Sequence, residues 1–322
     1  GTPPEVPLAI ALDPDELGTR AANRALEAVR TAMPGRAVSL EGAADPLAAV
    51  LAGEARMAIA PSAAHFRLSP DGVVRKEGLE AVGVVGSSVL YAIARKQGPS
   101  RIGGAQVVAT GPEGSPSHLI AAVLARHGTR EIQLAVQNET GAAAIGDAIA
   151  AGEADAGLIV ATRDRPDVVE LLRVNPDLHL VDAASWWRGP ARLALPFLRE
   201  ATLRPQNHPS LDRTTLVLSM QTVLTSPAPA EDRVLGRQGP ISFDTRPTQL
   251  TDATVRAIDI ALGTQPDVGA NLRAAAALSP RPPETPSARN PRPDQAVLSA
   301  GIFAYLAFAG WLLMRRKPAG RR

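Results

Sequence analysis

Short apolar runs alternate with longer alanine-rich or amphipathic stretches along the first two thirds of the chain. Leu8–Leu12 (LAIAL) has strand length and is followed by a helical stretch from Glu16 to Met33, closed by Pro34-Gly35. Ala37–Leu40 reads as a second strand, Pro46–Ala52 as a helix and Met57–Ala60 as a third strand. Ala81–Val85 and Ser88–Ala94 read as two further strands. The order then restarts with a strand at Gln106–Ala109, a helix at Pro116–His127 ended by Gly128, and a strand at Glu131–Val136. A helix at Ala142–Ala151 and a strand at Asp155–Val160 complete the second pass. Strands alternating with helices predict βαβ units and a mostly parallel sheet, hence an α/β fold.

The two passes share a marker. Ala52-Gly53-Glu54-Ala55-Arg56-Met57 aligns with Ala151-Gly152-Glu153-Ala154-Asp155-Ala156, and each is a helix end, a glycine cap, a polar turn and a buried strand. The opening strands at Leu8 and Gln106 precede these markers by similar distances. Matched spacing predicts two similar lobes, one following the other. Residues 1–94 and 200–278 are assigned to the first and 95–199 to the second. Crossings are expected near Ala94–Arg101 and Leu198–Arg204.

Beyond the globular part the pattern changes. PRPPETPSARNPRP, within residues 279–295, is too proline-rich for a helix or a sheet ladder and predicts an extended spacer. Ala296–Met314 then runs without a charge, long enough at about 1.5 Å per residue to approach the ~30 Å bilayer core. Trp311 stands near its end, and Arg315, Arg316, Lys317, Arg321 and Arg322 follow in residues 315–322. This predicts a single-pass bacterial inner-membrane anchor, with a cytoplasmic C-terminus and the large domain periplasmic. Export needs a signal peptide and none is visible at Gly1, so the chain is expected to start after a cleavage point or an artificial boundary.

Charge changes meaning once that tail is set apart. The chain has 34 Lys+Arg against 32 Asp+Glu; 34 less the tail's five leaves 29 against 32, so the globular part has no basic excess for nucleic acid. Absence of cysteine excludes disulfides and thiolate chemistry.

Catalysis finds little support. His65, His118, His127, His179 and His208 are scattered without metal spacing, and no GxSxG, P-loop or GxGxxG is present. No cofactor, metal or enzymatic activity is expected. The segment Gly111-Pro112-Glu113-Gly114-Ser115-Pro116-Ser117 follows a strand and opens a helix. Its N–H groups and serine hydroxyls could hold a carboxylate or phosphate, or Ser115 could be an ordinary N-cap with Pro116 at N1. Other strand ends that would face a common crevice supply Asp13 and Asp15, Ser62, Asn138 and Thr140, and Thr162 and Arg163. Arg163 suits an acidic ligand, or pairs with Asp164 or Asp167. Trp186 and Trp187 could line a cleft or pack.

With these elements in this order, the chain resembles a type II periplasmic solute-binding protein, and more narrowly the TAXI solute receptors of TRAP transporters. The likeness covers roughly residues 7 to 225. It rests on the opening strand–helix, on GPEGSPSHLIAAVLARHG, on AIAAGEADAGLIVAT, and on LPFLREATLRPQNHP with the later TTLVLSMQTVLT. It implies a ligand role for Gly114, Ser115 and Ser117, and a long strand at TTLVLSMQTVLT that returns to the first lobe. The chain departs from the family at Asp13-Pro14-Asp15-Glu16, where a glycine-rich loop is usual, and at Pro116; carboxylates there would repel an anion. Three functions stay open: a tethered receptor delivering a small, anionic solute to a membrane transporter, a non-transporting accessory subunit of a membrane complex, and an enzyme, which ranks last.

Overall fold

The computed structural model describes residues 7–128, 131–139, 141–208, 211, 213–228, 257, 258 and 260–262. The chain divides into Gly1–Ser279 and Pro280–Arg322. The linker at 279–295, the span at 296–314 and the tail at 315–322 lie outside the described residues. Among the described residues no helix is long and apolar enough to cross a membrane.

The first pass folds as β1 (Leu8–Leu12), a 3₁₀ turn (Pro14–Glu16), α1 (Arg20–Ala32), β2 (Val38–Gly42), α2 (Pro46–Ala52) and β3 (Met57–Pro61). A hairpin of β4 (Phe66–Ser69) and β5 (Gly72–Arg75) precedes the 17-residue β6 (Leu79–Arg95). The second pass is β7 (Val107–Thr110), α3 (Pro116–His127), β8 (Gln133–Val136), α4 (Ala142–Ala151) and β9 (Ala156–Thr162). Then come α5 (Pro166–Val174), β10 (Leu178–Leu180), α6 (Pro190–Ala194), β11 (Arg199–Leu203) and the 13-residue β12 (Thr215–Pro227).

Two parallel trios result, β2-β1-β3 and β8-β7-β9, each with its first strand in the middle. They do not touch edge to edge. Between them run β12 and β6, antiparallel to each other, so one continuous hydrogen-bonded path reads β2-β1-β3-β12-β6-β9-β7-β8. Two separate sheets, as a strict reading of two lobes expects, are therefore not formed. The lobes are distinct in their cores instead. α1 packs its Ala21, Ala22, Ala25, Ala28 and Val29 face on one side of the first trio, and α2 seals the other. α3 and α4 do the same for the second trio. Along β6, Leu90, Ala92 and Ala94 point to the α3 side and Val89, Tyr91 and Ile93 to the α4 side, the period-two alternation of a strand buried on both faces.

The crossings differ from those expected. β6 pairs with β12 from Leu79 to Leu90 and with β9 from Ser88 to Ala94, while β12 pairs with β11 from Thr215 to Ser219 and with β3 from Thr222 to Thr225. Both long strands thus change lobe near Ser88 and Thr222, not near Ala94–Arg101 and Leu198–Arg204. The two strands expected at Ala81–Val85 and Ser88–Ala94 are one, because Gly86 stays in register opposite Thr222. Register shifts beside Thr222 and Leu224 bend the pair there. Helix α1 starts at Arg20, later than the expected Glu16, because Thr19 is its N-cap. Residues 257, 258 and 260–262 are helical, and Ile258 and Leu262 bury against the α1 core.

Candidate functional site

In both trios the loops that follow the parallel strands open towards the same space, as the geometry of βαβ units requires. That space is a cleft of about 660 Å³ between the lobes. Its floor carries Ser88 and Thr222 from the two crossing strands, whose hydroxyls meet at 2.8 Å.

The first-lobe wall is acidic. Asp13 caps the 3₁₀ turn, its Oδ1 accepting from the Asp15 N–H at 3.0 Å, and Asp45 caps α2 by accepting from the Ala48 N–H at 3.0 Å. Asp15 lies on the same wall. Burial raises its carboxyl above the ordinary range, and the charges of Asp167 and Asp13 add to this while Arg165 opposes it. Glu16 is raised too, first by burial, against hydrogen bonds from Thr162 that favour the ionised form.

The second-lobe wall comes from Pro112–Ser117, Asn138, Glu139, Gly141, Val160 and Arg165. Gly114 takes φ +81°, the left-handed turn that a side chain would strain, and so brings Ser115 to the start of α3. The helix end is largely served by its own loop. Ser115 Oγ accepts from the His118 N–H at 3.3 Å, and Ser117 Oγ accepts from the Gly111 N–H at 3.0 Å. The N-cap alternative for this segment therefore describes what the serines do here. Arg165 is 2 % exposed and grips Asp167 twice, Nε to Oδ1 at 2.7 Å and Nη2 to Oδ2 at 2.8 Å. Asp167 also accepts from the Ala142 N–H at 2.9 Å, capping α4, whose N-cap Gly141 has no side chain to do so.

Of the residues singled out from sequence, Asp13, Gly114, Ser115, Ser117 and Asn138 line the cleft. Thr140 lies outside the described residues. Ser62 does not line it; it is 1 % exposed in the turn after β3, with a hydroxyl that has no partner. Thr162 is buried and turned to Glu16, donating its N–H at 2.9 Å and its hydroxyl at 2.5 Å. Arg163 is half-buried and does not line the cleft either, so the arginine of the site is Arg165. Trp187 is buried in the α3 core with Trp186 packed against it, which makes the pair packing residues. Sequence reasoning missed Arg165, Asp45, Glu139, Lys76, Ser88 and Thr222. The spacing Arg165-Pro166-Asp167 was the available signal, an arginine one residue before a helix with an acid in its first turn.

The charge of the cleft follows. Asp13, Asp15, Glu16, Asp45, Glu113 and Glu139 face Lys76 and Arg165, and Arg165 is already paired with Asp167. Among the described residues no three carboxylates or histidines stand close enough together to hold a metal ion. Among these lining residues carboxylates outnumber cations six to two.

No family model matches the chain, and no curated protein matches it. Solved structures are similar in chain path. The substrate-binding protein of an amino acid ABC transporter aligns with 10% identity and a TM-score of 0.48, over 84% of this chain and 97% of that one. The GluR0 ligand-binding core from Nostoc punctiforme, in complex with L-glutamate, aligns with 14% identity and a TM-score of 0.46, over 83% and 97%. The probable amino-acid ABC transporter extracellular-binding protein ytmK from Bacillus subtilis gives 11% and 0.43, over 84% and 95%.

Proposed function

We propose that this protein is a membrane-tethered, extracytoplasmic solute receptor that captures a small molecule bearing a positive group in the cleft between its lobes, and hands it to a transporter in the same membrane. The observation that carries the reading is the cleft itself: about 660 Å³, roomy enough for a metabolite, with six carboxylates on its walls and its buried arginine already neutralised. The uncharged run at Ala296–Met314 and the basic residues after it support the tether, which raises the effective concentration of the receptor at its transporter. A TRAP-type permease is the partner that the likeness to TAXI receptors suggests. Non-catalytic binding fits a site with no nucleophile–base pair among its lining residues.

Calorimetry on the full chain in mild detergent tests this. Amines and guanidines (spermidine, agmatine, lysine) should release heat, while succinate and other dicarboxylates should not. A hydrogen bond to a charged group is worth about 1.5–3 kcal/mol, so Asp15→Asn should weaken the amine at least roughly tenfold. Binding of dicarboxylates alone would overturn the charge assignment. No heat and no thermal shift with any solute at millimolar concentration would overturn the receptor, leaving the accessory subunit of a membrane complex.

A further inference from the structure

Two contacts join the lobes beside the cleft, one of them through Glu16, which also lines it, and they are reciprocal. Glu16, in the 3₁₀ turn of the first lobe, reaches the end of β9 in the second. Its Oε1 accepts the Thr162 N–H at 2.9 Å and its Oε2 accepts the Thr162 hydroxyl at 2.5 Å. Two residues beyond Thr162, Asp164 reaches the other way. Its Oδ2 accepts the Arg20 N–H at 2.8 Å, at the first residue of α1. The N-cap of that helix, Thr19, is a member of the first lobe and serves Ala22, so Asp164 supplies from across the cleft an acceptor that α1 lacks in its own lobe.

We propose that these carboxylates form a latch that holds the cleft closed in the absence of solute, and that entry requires its release. Each lobe lends one carboxylate to donors of the other. The bonds are polar, the Arg20–Asp164 one exposed and the Glu16–Thr162 ones half-buried, and they stand beside an apolar contact in which Ala63 and Phe66 of the first pass join the α3 core. The only strands continuous between the lobes are β6 and β12 among the described residues, and their pairing is irregular beside Thr222, at the cleft floor. An irregular ladder at the floor and polar bonds between the lobes are the elements that hinge closure uses.

The chain has no cysteine, so two introduced thiols can be labelled without a background variant. Glu27 on α1 and Asp147 on α4 are both exposed and belong to different lobes. With Glu27→Cys and Asp147→Cys spin-labelled on the full chain in detergent, pulsed dipolar spectroscopy without solute should give one short, narrow distance. Adding Glu16→Gln and Asp164→Asn should lengthen and broaden it, and Thr162→Val, which removes only the hydroxyl donor, should give an intermediate result. Far-UV circular dichroism checks that each variant keeps its fold; if the double variant does not, Glu16→Gln alone decides. Superimposable distributions in parent and variant, or a parent already long and broad, overturns the latch.

Discussion

The two lobes repeat each other where they pack and diverge where they face the cleft. At the end of α2, Gly53 takes φ +78° and the N–H groups of Gly53, Glu54 and Ala55 all return to Ala49; at the end of α4, Gly152 takes φ +77° and Gly152, Glu153 and Ala154 return to Ala148. The strands that follow pair at matching positions, Ala11 with Ala58 and Ala109 with Gly157. The loops after the first strand of each trio share none of this. One is Asp13-Pro14-Asp15-Glu16, a carboxylate-bearing 3₁₀ turn, and the other is Gly111 to Ser115, a glycine turn that ends in a serine cap. A shared packing solution with unlike cleft loops places the specificity of the molecule in the asymmetry between its halves.

The largest effect expected from that asymmetry is on acid stability. The turn after β3 buries His65, with Nε2 at 2.7 Å from the Thr225 hydroxyl, whereas the turn after β9 buries an arginine that is already paired. Desolvation lowers the His65 pKa from 6.5 to about 4, and Lys76 and Arg75 push the same way. The unfolded chain therefore takes up a proton below pH 6.5 that the folded one refuses. Stability should fall from pH 6.5 towards 4 and level off below, by about 3 kcal/mol at 1.36 kcal/mol per unit. The raised carboxyls of Asp15 and Glu16 act in the opposite sense, so the readout is the difference between parent and His65→Gln in urea midpoints against pH. Hydrogen exchange at pH 4.5 should show the first lobe loosening before the second. Equal slopes in parent and variant, or earlier opening of the second lobe, would break the comparison.

Packing offers the next test. Helix α4 starts a turn earlier than α2, so Ile145 sits where the shorter helix has Pro46. A Cβ on Gly157 would lie 2.2 Å from Ile145 Cγ2, and the branched side chain has no room to swing away cheaply. Gly157→Ala should cost about 2 kcal/mol by overpacking, read as a lower urea midpoint at unchanged m. Ala58→Gly at the matching site should cost about half as much. Similar losses at both sites would mean that the extra turn of α4 does not distinguish the halves.

Much of this was legible in the residues. Pro46–Ala52, Pro116–His127 and Ala142–Ala151 fold with the bounds expected, because proline after a capping side chain marks the first two starts and glycine follows each end. The repeat showed through its helix–glycine–strand junction, which is local chemistry. The crossings did not, because a glycine in a long strand looks like a break until its partner strand is known; Gly86 is held by pairing with Thr222, far away in sequence. Asp13, Gly114 and Ser115 were found as strand-end residues, a rule of topology. Arg165 was not, since the local spacing Arg165-Pro166-Asp167 hints at a pair but does not say which of two nearby arginines will face inward. Its orientation is set by Asp167, which is itself held by the start of α4, and such second-order placement is tertiary.

The smallest effect addresses the two loops directly. Ser115 caps α3 through a 3.3 Å bond to the His118 N–H, and Thr19 caps α1 through a longer one of 3.4 Å to the Ala22 N–H. Loss of an N-cap hydroxyl costs about 1 kcal/mol. Ser115→Ala should show this as a drop in thermal midpoint with affinity for an amine unchanged, because its hydroxyl is occupied by its own helix and a cation has no use for that end of the dipole. Thr19→Ala should cost as much or more, since Thr19 also donates to the Glu16 carbonyl at 2.9 Å and so braces the acidic turn. If Ser115→Ala instead abolished binding while leaving the midpoint in place, the serine loop would be the ligand's anchor. The acidic wall would then be its surroundings, and the roles of the two lobes would be exchanged.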